Sequence, residues 1–278
     1  FIDDSPEICK TVQSKAREWV RDRTVKQLDF MVVMSKEVAR FYQDHYKLNE
    51  RNVIVSPILQ LPERLRKDST TIEYFANQYV QDHRLKWKKI LLFVGRLVPE
   101  KALPQFIEII APILVSNDDI RFVLVGVGSE EGYLKAIVKE KQLESKVIFA
   151  GKHQAKELYG WYACASGFVL PSVSETFGAV VNEALIFGLK VFCSRNAGAS
   201  SLINSENGLL FNPLNSTDTY DKFQHFTKDL KPVDNISLDN SPPLIEDYRP
   251  FFLQEWGKML DRDIEVPMSI TPSYNKTL

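Results

Sequence analysis

Residues 167–188 read GFVLPSVSETFGAVVNEALIFG. The first four form a short apolar run, the next eight mix polar residues with proline and glycine, and the last ten place apolar residues at helical spacing. An apolar run that passes through a loop into a helix is the repeating step of a parallel sheet. The stretch therefore predicts one strand, loop and helix of an α/β fold.

The same step recurs on both sides of this stretch. Short apolar runs predict strands at 90–94, 121–125, 146–150, 167–170, 190–193 and 209–211. Helical patterns separate them at 103–115, 130–141, 155–165 and 179–187, with a short turn near 200–203. Six strands joined by five crossovers predict a complete Rossmann-like, doubly wound parallel sheet.

The pattern is less complete outside this sheet. Before it we predict a helix at 6–28, a strand at 29–34, a helix at 35–47 capped by Ser35, and a strand at 52–58. Residues 60–89 are polar and predict a connection with one helix near 72–83. After residue 213 the periodicity weakens, 234–243 is typical of a loop, and 245–260 predicts a last helix with an aromatic face.

Composition narrows the classes of function. The 278 residues carry a net charge of −1, so no strong field gathers nucleic acid or an anionic membrane. Cys9, Cys164 and Cys193 lie in apolar surroundings, which indicates reduced core thiols of a cytosolic protein rather than a metal site. No apolar run approaches the roughly 18 to 20 residues of a membrane span, so we expect a soluble, cytoplasmic protein. Three short glycosylation sequons are interpreted as accidental; they begin at Asn215, Asn235 and Asn275.

The loop after the first strand of the sheet carries two cations. It reads Gly95-Arg-Leu-Val-Pro-Glu-Lys101, so Arg96 and Lys101 lie five residues apart where a helix begins. Ligands of open α/β sheets bind beyond the carboxyl ends of the strands. A guanidinium, an ammonium and a helix N-terminus together suit a diphosphate. The alternative is that both cations are ordinary solvated loop charges.

The loop at residues 171–178 carries a carboxylate, and the following helix carries another. Glu175 and Glu183 are eight residues apart, roughly 12 Å if the span were helical, so they cannot form a close acid/base pair. They could instead contact two hydroxyl-bearing parts of one extended ligand, with the amides of Phe177 and Gly178 facing its phosphates. Glu183 could also be a surface residue, although its apolar neighbours indicate that it needs a partner.

Taken together, these motifs resemble the donor domain of the family-4, or group 1, retaining glycosyltransferases, whose fold is called GT-B. The resemblance covers residues from about 88 to 213. It rests on the residues at 94–96, 99–101, 125–128, 147–151, 170–172, 175–188 and 207–210.

The resemblance implies a role for each matching residue. Arg96 and Lys101 would hold the donor's diphosphate, Glu183 the nucleotide ribose, and Glu175 a hydroxyl of the sugar. The loop at 151–153 would lie against the base through its backbone, with His153 as a neighbour rather than a catalyst. The expected catalytic residues are therefore Arg96, Lys101 and Glu175, and the expected donor-binding residues are Gly95, Lys152, His153, Thr176, Phe177, Gly178 and Glu183.

The resemblance also implies substrates and a mechanism. The donor would be a UDP- or GDP-sugar and the acceptor a glycan or a lipid-linked acceptor, with transfer by retention. Fixed cations would stabilise the charge that develops on the departing phosphate, so no metal or other cofactor is expected. Residues 261–263, Asp-Arg-Asp, match a metal-binding string but are interpreted as a solvated helix end.

The same family comparison suggests a division of the chain. We expect residues 1–60 to be the end of a truncated acceptor-binding domain, residues 61–87 a linker and residues 88–244 the donor domain. Residues 245–262 would form a helix that crosses back to the acceptor domain, and residues 263–278 a tail. Such a fragment would bind donor with little transfer, and its missing part could associate with the inner face of the membrane.

Two stretches depart from the family pattern. Residues 196–201 read NAGASS where relatives show two glycines, a proline and an acidic residue, and Leu189 and Lys190 stand where a proline is usual. These changes leave two alternatives open: a non-catalytic partner subunit of the same fold, and a sugar-nucleotide epimerase. A dinucleotide oxidoreductase is disfavoured because no complete Gly-x-Gly-x-x-Gly follows a strand.

Overall fold

The computed structural model describes residues 12–258, with the backbone alone for residues 12–16 and 37. The described chain forms two compact units, one from residues 12–58 and 246–258 and the other from residues 59–245. Residues 61–87 lie in the second unit. Cys9, the sequon at Asn275, the Asp-Arg-Asp string and the tail lie outside the described residues.

The first unit begins with four elements: α1 (Val12–Val25), β1 (Met31–Val33), α2 (Lys36–Tyr46) and β2 (Val53–Val55). β1 pairs with β2 in parallel, Met31 opposite Val53. Ser35 caps α2, since its hydroxyl accepts a hydrogen bond from the Val38 N–H at 3.3 Å, which confirms the predicted cap.

The second unit contains the six-stranded sheet. Its elements are α3 (Pro62–Leu65), α4 (Ser69–Asp82), β3 (Lys89–Val94), α5 (Leu103–Ser116), β4 (Ile120–Val125), α6 (Glu131–Glu140), β5 (Val147–Gly151), α7 (Ala155–Cys164), β6 (Gly167–Leu170), α8 (Ala179–Ile186), β7 (Lys190–Ser194), β8 (Gly208–Phe211) and α9 (Ser216–Lys228). The strand order is β5-β4-β3-β6-β7-β8, and every pair is parallel. This is the order of a doubly wound sheet, so the predicted fold class is confirmed.

The core of the second unit fills both faces of this sheet. Every residue of β6 is buried, as are Ile90 to Val94 of β3, which is expected of a parallel strand covered on both sides. Aromatic rings fill the space beside β7 and β8, where Phe192 and Phe211 stack with their centroids 4.2 Å apart. Buried thiols belong to the same core, since burial raises the pKa of Cys164 to about 12 and also raises that of Cys193.

Some predicted boundaries change. β6 begins and ends where the sequence predicted, whereas β1 and β2 are shorter than predicted. The predicted turn at 200–203 is a 3-10 helix at Gly198–Leu202. The last helix, α10 (Arg249–Gly257), belongs to the first unit and is shorter than the predicted 245–260. The prediction missed α3 and α9. The helical periodicity does not end at residue 213, because α9 has a buried side at helical spacing, made of Thr219, Phe223, Phe226 and Thr227.

Candidate functional site

The candidate site lies where the strand order reverses. β3 and β6 are neighbours in the sheet, yet the chain winds outward from them in opposite directions. The connections at their carboxyl ends therefore part and leave a crevice, which is the usual ligand position in such sheets. The loops that border it are residues 95–102 after β3 and 171–178 after β6.

An ion pair joins these two loops. The ammonium of Lys101 donates a hydrogen bond to Oε2 of Glu175, and both side chains are largely buried, at 14% and 17% exposure. The backbone makes a second link, from the Val173 N–H to the Glu100 carbonyl at 3.0 Å. The structure thus brings together a cation and a carboxylate that the sequence predicted only as separate ligand contacts.

Arg96 differs from Lys101 in its surroundings. Its side chain is exposed, and the described residues offer it no hydrogen bond or ion pair. The backbone around it is fixed, since the Gly95 N–H bonds to Val125 and the Leu97 N–H bonds to Val127, each at 3.0 Å. A free guanidinium on a fixed loop can bind an anion without first breaking another contact.

The loop after β4 approaches the loop after β3 without intervening side chains. A Cβ on Gly126, whose φ is +145°, would lie 1.8 Å from the carbonyl oxygen of Gly95. A Cβ on Gly128 would lie 2.1 Å from that of Leu97. Both positions require glycine because the two backbones are in contact.

The N-terminus of α8 completes this edge of the site. Gly178 has a φ of +88° and turns the chain into the helix, while Thr176 is exposed and Phe177 is buried. Within the described part of the chain, the amides of Phe177 and Gly178 donate no hydrogen bond. Unpaired amides at a helix N-terminus attract anions.

The turn after β7 holds this loop from the other side. The N–H of Gly198 donates to the Glu175 carbonyl at 3.0 Å, and that of Ala199 donates to the Phe177 carbonyl at 2.5 Å. A Cβ on Gly198 would lie 2.3 Å from the carbonyl oxygen of Thr176. The turn that departs from the family pattern therefore still supports the site loop through its backbone.

Glu183 lies inside α8 with a neutral partner. The hydroxyl of Tyr162, on α7, donates to its Oε2 at 2.9 Å. Burial raises the pKa of Glu183, and the hydrogen bond from Tyr162 offsets part of that rise. Burial and the nearby carboxylate together raise the pKa of Tyr162 well above its usual value. The partner that the sequence required for Glu183 is thus a tyrosine.

His153 connects the loop after β5 to neighbouring residues through both of its ring nitrogens. Its Nε2 lies 3.0 Å from the Ala150 carbonyl, which can only accept, so Nε2 carries a proton. Its Nδ1 lies 3.4 Å from the Tyr79 hydroxyl of α4 and 3.5 Å from a carboxylate oxygen of Glu157. The side chain therefore faces α4 and α7, whereas Lys152 beside it is exposed.

Six of the ten predicted site residues fall into two groups. Gly95, Lys101, Glu175 and Gly178 are close together, because a Cβ on Gly95 would lie 3.8 Å from Lys101 Cε and one on Gly178 would lie 3.3 Å from Glu175 Cγ. Glu183 and His153 are instead fixed by residues of neighbouring helices. The described residues hold no group of three or more histidines, cysteines or carboxylates arranged for a metal ion, and none of their helices is long and apolar enough to cross a membrane.

Sequence reasoning missed three residues around the site. Tyr162 is 21 positions from Glu183, and nothing near it in the sequence indicates that pairing. Ser172 and Asn182 are fully buried, and Ser172 Oγ and Asn182 Nδ2 have no hydrogen-bond partner in the described part of the chain. A polar residue inside an apolar helical pattern, such as Asn182 among Val181, Ala184 and Leu185, is a signal that could have been noticed.

Comparison with known proteins gives a consistent result. The family profile described as glycosyl transferases group 1 matches residues 77–237, more than half of the chain. A GDP-mannose-dependent alpha-mannosyltransferase of Corynebacterium glutamicum is 36% identical over 133 residues, which cover 48% of this chain and 30% of that protein. The chain spans about a third of the length of the curated relatives it matches.

Solved structures share the fold at lower identity. Sucrose-phosphate synthase from Thermosynechococcus elongatus superposes with a TM-score of 0.69 at 20% identity, over 93% of this chain and 63% of that one. The Anabaena protein Alr3699/HepE in complex with UDP gives 0.66 at 17% identity, over 92% of this chain and 67% of that one. These similarities support the fold predicted from the sequence.

Proposed function

Because the chain belongs to the glycosyl transferases group 1 family, we propose that its second unit binds a nucleoside-diphosphate sugar for transfer of the sugar to a glycan or lipid-linked acceptor. The observation that carries this proposal is the meeting of Lys101 and Glu175 beside the open N-terminus of α8. A cation, a carboxylate and free amides in one crevice match the phosphates and the hydroxyls of such a donor.

The phosphate end of the donor would bind between the loop after β3 and the N-terminus of α8. Arg96 is free to contact it, and Lys101 would exchange the carboxylate of Glu175 for a phosphate oxygen. Glu175 would then accept a hydrogen bond from a hydroxyl of the sugar. Negative charge that develops on the departing diphosphate would be stabilised by groups already in place, so the proposal needs no metal ion. Retention of configuration is part of the same proposal.

The nucleoside end would bind beside Glu183. Tyr162 occupies Oε2 of this carboxylate, and the described residues leave Oε1 without a hydrogen-bond partner. A carboxylate can accept several hydrogen bonds, so Oε1 would take a ribose hydroxyl. The backbone after β5, fixed by His153, would lie against the base.

Relatives guide the choice of ligands to test. One relative is named for GDP-mannose, and structural neighbours were solved with UDP, so UDP and GDP are the first nucleotides to compare. We propose a role in glycan assembly in the cytoplasm, where such donors are made available. Association with the inner membrane face would belong to the acceptor side of the protein.

Calorimetric titration of UDP and GDP tests the phosphate role. We expect Arg96→Ala and Lys101→Ala each to weaken binding by about 1 to 3 kcal/mol, the value of a hydrogen bond to a charged group. Lys190→Ala is the matched control, because Lys190 is an exposed lysine at the opposite, amino end of β7. Unchanged affinity in both site variants would contradict the proposal.

Incubation with the donor alone separates the two alternatives. A sugar nucleotide that changes configuration without an acceptor would indicate an epimerase. Tight nucleotide binding without transfer of sugar to any acceptor would indicate a partner subunit.

A further inference from the structure

Both segments by which the chain enters and leaves the second unit are hydrogen-bonded to α8. The first segment begins at residue 59, and the N–H of Gln60 donates to Oδ1 of Asn182 at 2.6 Å. The second segment ends at residue 245, and the N–H of Leu244 donates to the carbonyl of Leu185 at 2.8 Å. Further along the first segment, the guanidinium of Arg66 lies 3.5 Å from the carbonyl of Ile186. The helix that carries Glu183 is therefore the point of attachment for both segments.

Asn182 is an unfavourable residue at its position if stability alone is considered. Its side chain is fully buried among apolar neighbours, and Nδ2 has no acceptor among the described residues. A buried amide that leaves N–H groups unpaired destabilises the folded state, whereas an apolar residue of similar size would not. What Asn182 provides is an acceptor for one N–H group, that of Gln60.

The position of Asn182 links this hydrogen bond to the nucleotide site. Asn182 directly precedes Glu183, and consecutive residues of a helix point about 100° apart around its axis. One side chain thus faces the connecting segment and the other faces Tyr162. A rotation of α8 about its axis moves both side chains, so a bond that fixes one also fixes the other.

We propose that Asn182 is a positioning residue for nucleotide binding, which sets the rotation of α8 through Gln60 and so places Glu183 against the ribose. The inference rests on the proposed ribose contact of Glu183. Coupling between two sites is reciprocal, so a nucleotide bound at Glu183 also strengthens the bond between Asn182 and Gln60.

Three variants separate the acceptor from the rest of the side chain. Asn182→Leu removes the acceptor and the unpaired N–H groups while keeping the volume. Asn182→Asp keeps the acceptor. Gln60→Pro removes the donor without altering α8, and it tests the same bond if the leucine variant fails to fold.

The measurement is the affinity for UDP or GDP, whichever binds the wild type more tightly, relative to its 2′,3′-dideoxy analogue. We expect Asn182→Leu and Gln60→Pro to lower this preference for ribose by roughly fivefold, the equivalent of one hydrogen bond, with unchanged affinity for the analogue. Asn182→Asp should retain the preference. The thermal midpoint of Asn182→Leu should change little, because the variant removes an unpaired buried amide but leaves the part-buried Gln60 N–H without its acceptor.

Hydrogen exchange provides the ligand-independent readout. The Gln60 amide should exchange slowly in the wild type, faster in Asn182→Leu, and more slowly still in the wild type with nucleotide bound. A wild type without ribose preference would contradict the proposed role of Glu183 and hence the proposed function. A wild type with that preference, together with leucine and proline variants that keep it in full, would overturn the role of Asn182.

Discussion

Glu175 and Glu183 are two carboxylates on either side of the N-terminus of α8, and they differ in the charge of their hydrogen-bond partners. Glu175 is paired with a cation, Lys101, that follows another strand. Glu183 lies inside α8 and is paired with a neutral hydroxyl, that of Tyr162. A cation compensates a carboxylate's charge, whereas a hydroxyl only donates to it, so burial leaves the pKa of Glu183 raised. The difference suggests an exchangeable contact at Glu175 and a fixed one at Glu183.

Removing the neutral partner should have the largest effect. Tyr162→Phe leaves a mostly buried carboxylate without its donor, and we expect the free energy of unfolding to fall by about 1 to 3 kcal/mol. Urea denaturation measures this change. Tyr159→Phe is the control, since Tyr159 also lies near Glu183 but is only part-buried, and its hydroxyl makes no hydrogen bond within the described residues. Equal losses in the two variants would mean that removal of a hydroxyl, and not its hydrogen bond to Glu183, is being measured.

Removing the charge of Glu175 should have a smaller effect in free energy, and it should strengthen nucleotide binding. Glu175→Gln frees Lys101 from its ion pair, so UDP or GDP, which lack the sugar that Glu175 would contact, should bind about two- to tenfold more tightly. Calorimetry at two salt concentrations checks this, because the gain should shrink at high salt. Weaker binding by the glutamine variant would show that the pair is needed to hold Lys101 in place.

The smallest effect should be a pH dependence that belongs to Glu183. Its pKa is raised above 4.5 in the folded state, so the folded chain holds more protons than the unfolded chain between 4.5 and the raised value. The contribution of Glu183 to unfolding free energy therefore falls as pH rises through that window, by about 1.4 kcal/mol per pKa unit, and is recovered below it. Urea titration of the wild type and of Glu183→Gln between pH 4 and 7 measures this contribution of Glu183 to the free energy of unfolding. A difference between them that is constant with pH would refute it.

Local patterns were enough to predict the sheet but not every helix around it. β6 was predicted to the residue, because its apolar run of four residues is too short for a helix and lies between a serine and a proline. α9 was missed although Asn215 caps it by accepting from the Asp218 N–H, and Thr219, Phe223 and Phe226 line its buried side at helical spacing. The cap and the helical spacing were present in the sequence, but the many polar residues of α9 made them difficult to notice.

The pairings within the site could not be predicted in the same way. Lys101 and Glu175 are 74 positions apart, and Gln60 and Asn182 are 122 apart. Such contacts depend on which strands become neighbours and on how far each loop extends, and neither follows from the spacing of residues in one segment. The residue types at the site were therefore predictable, and their partners were not.

At Gly126 and Gly128 the backbone of the loop after β4 packs directly against the backbone of the loop after β3, and this contact restricts how the protein can be redesigned. No side chain fits between those two loops, so new chemistry cannot be introduced there without pushing the loop after β3 out of place. Lys152, Gln154 and Asn196 follow other strands at the same edge of the sheet and have exposed side chains. A library intended to alter the preferred base or sugar should randomise these three positions and leave the glycines unchanged.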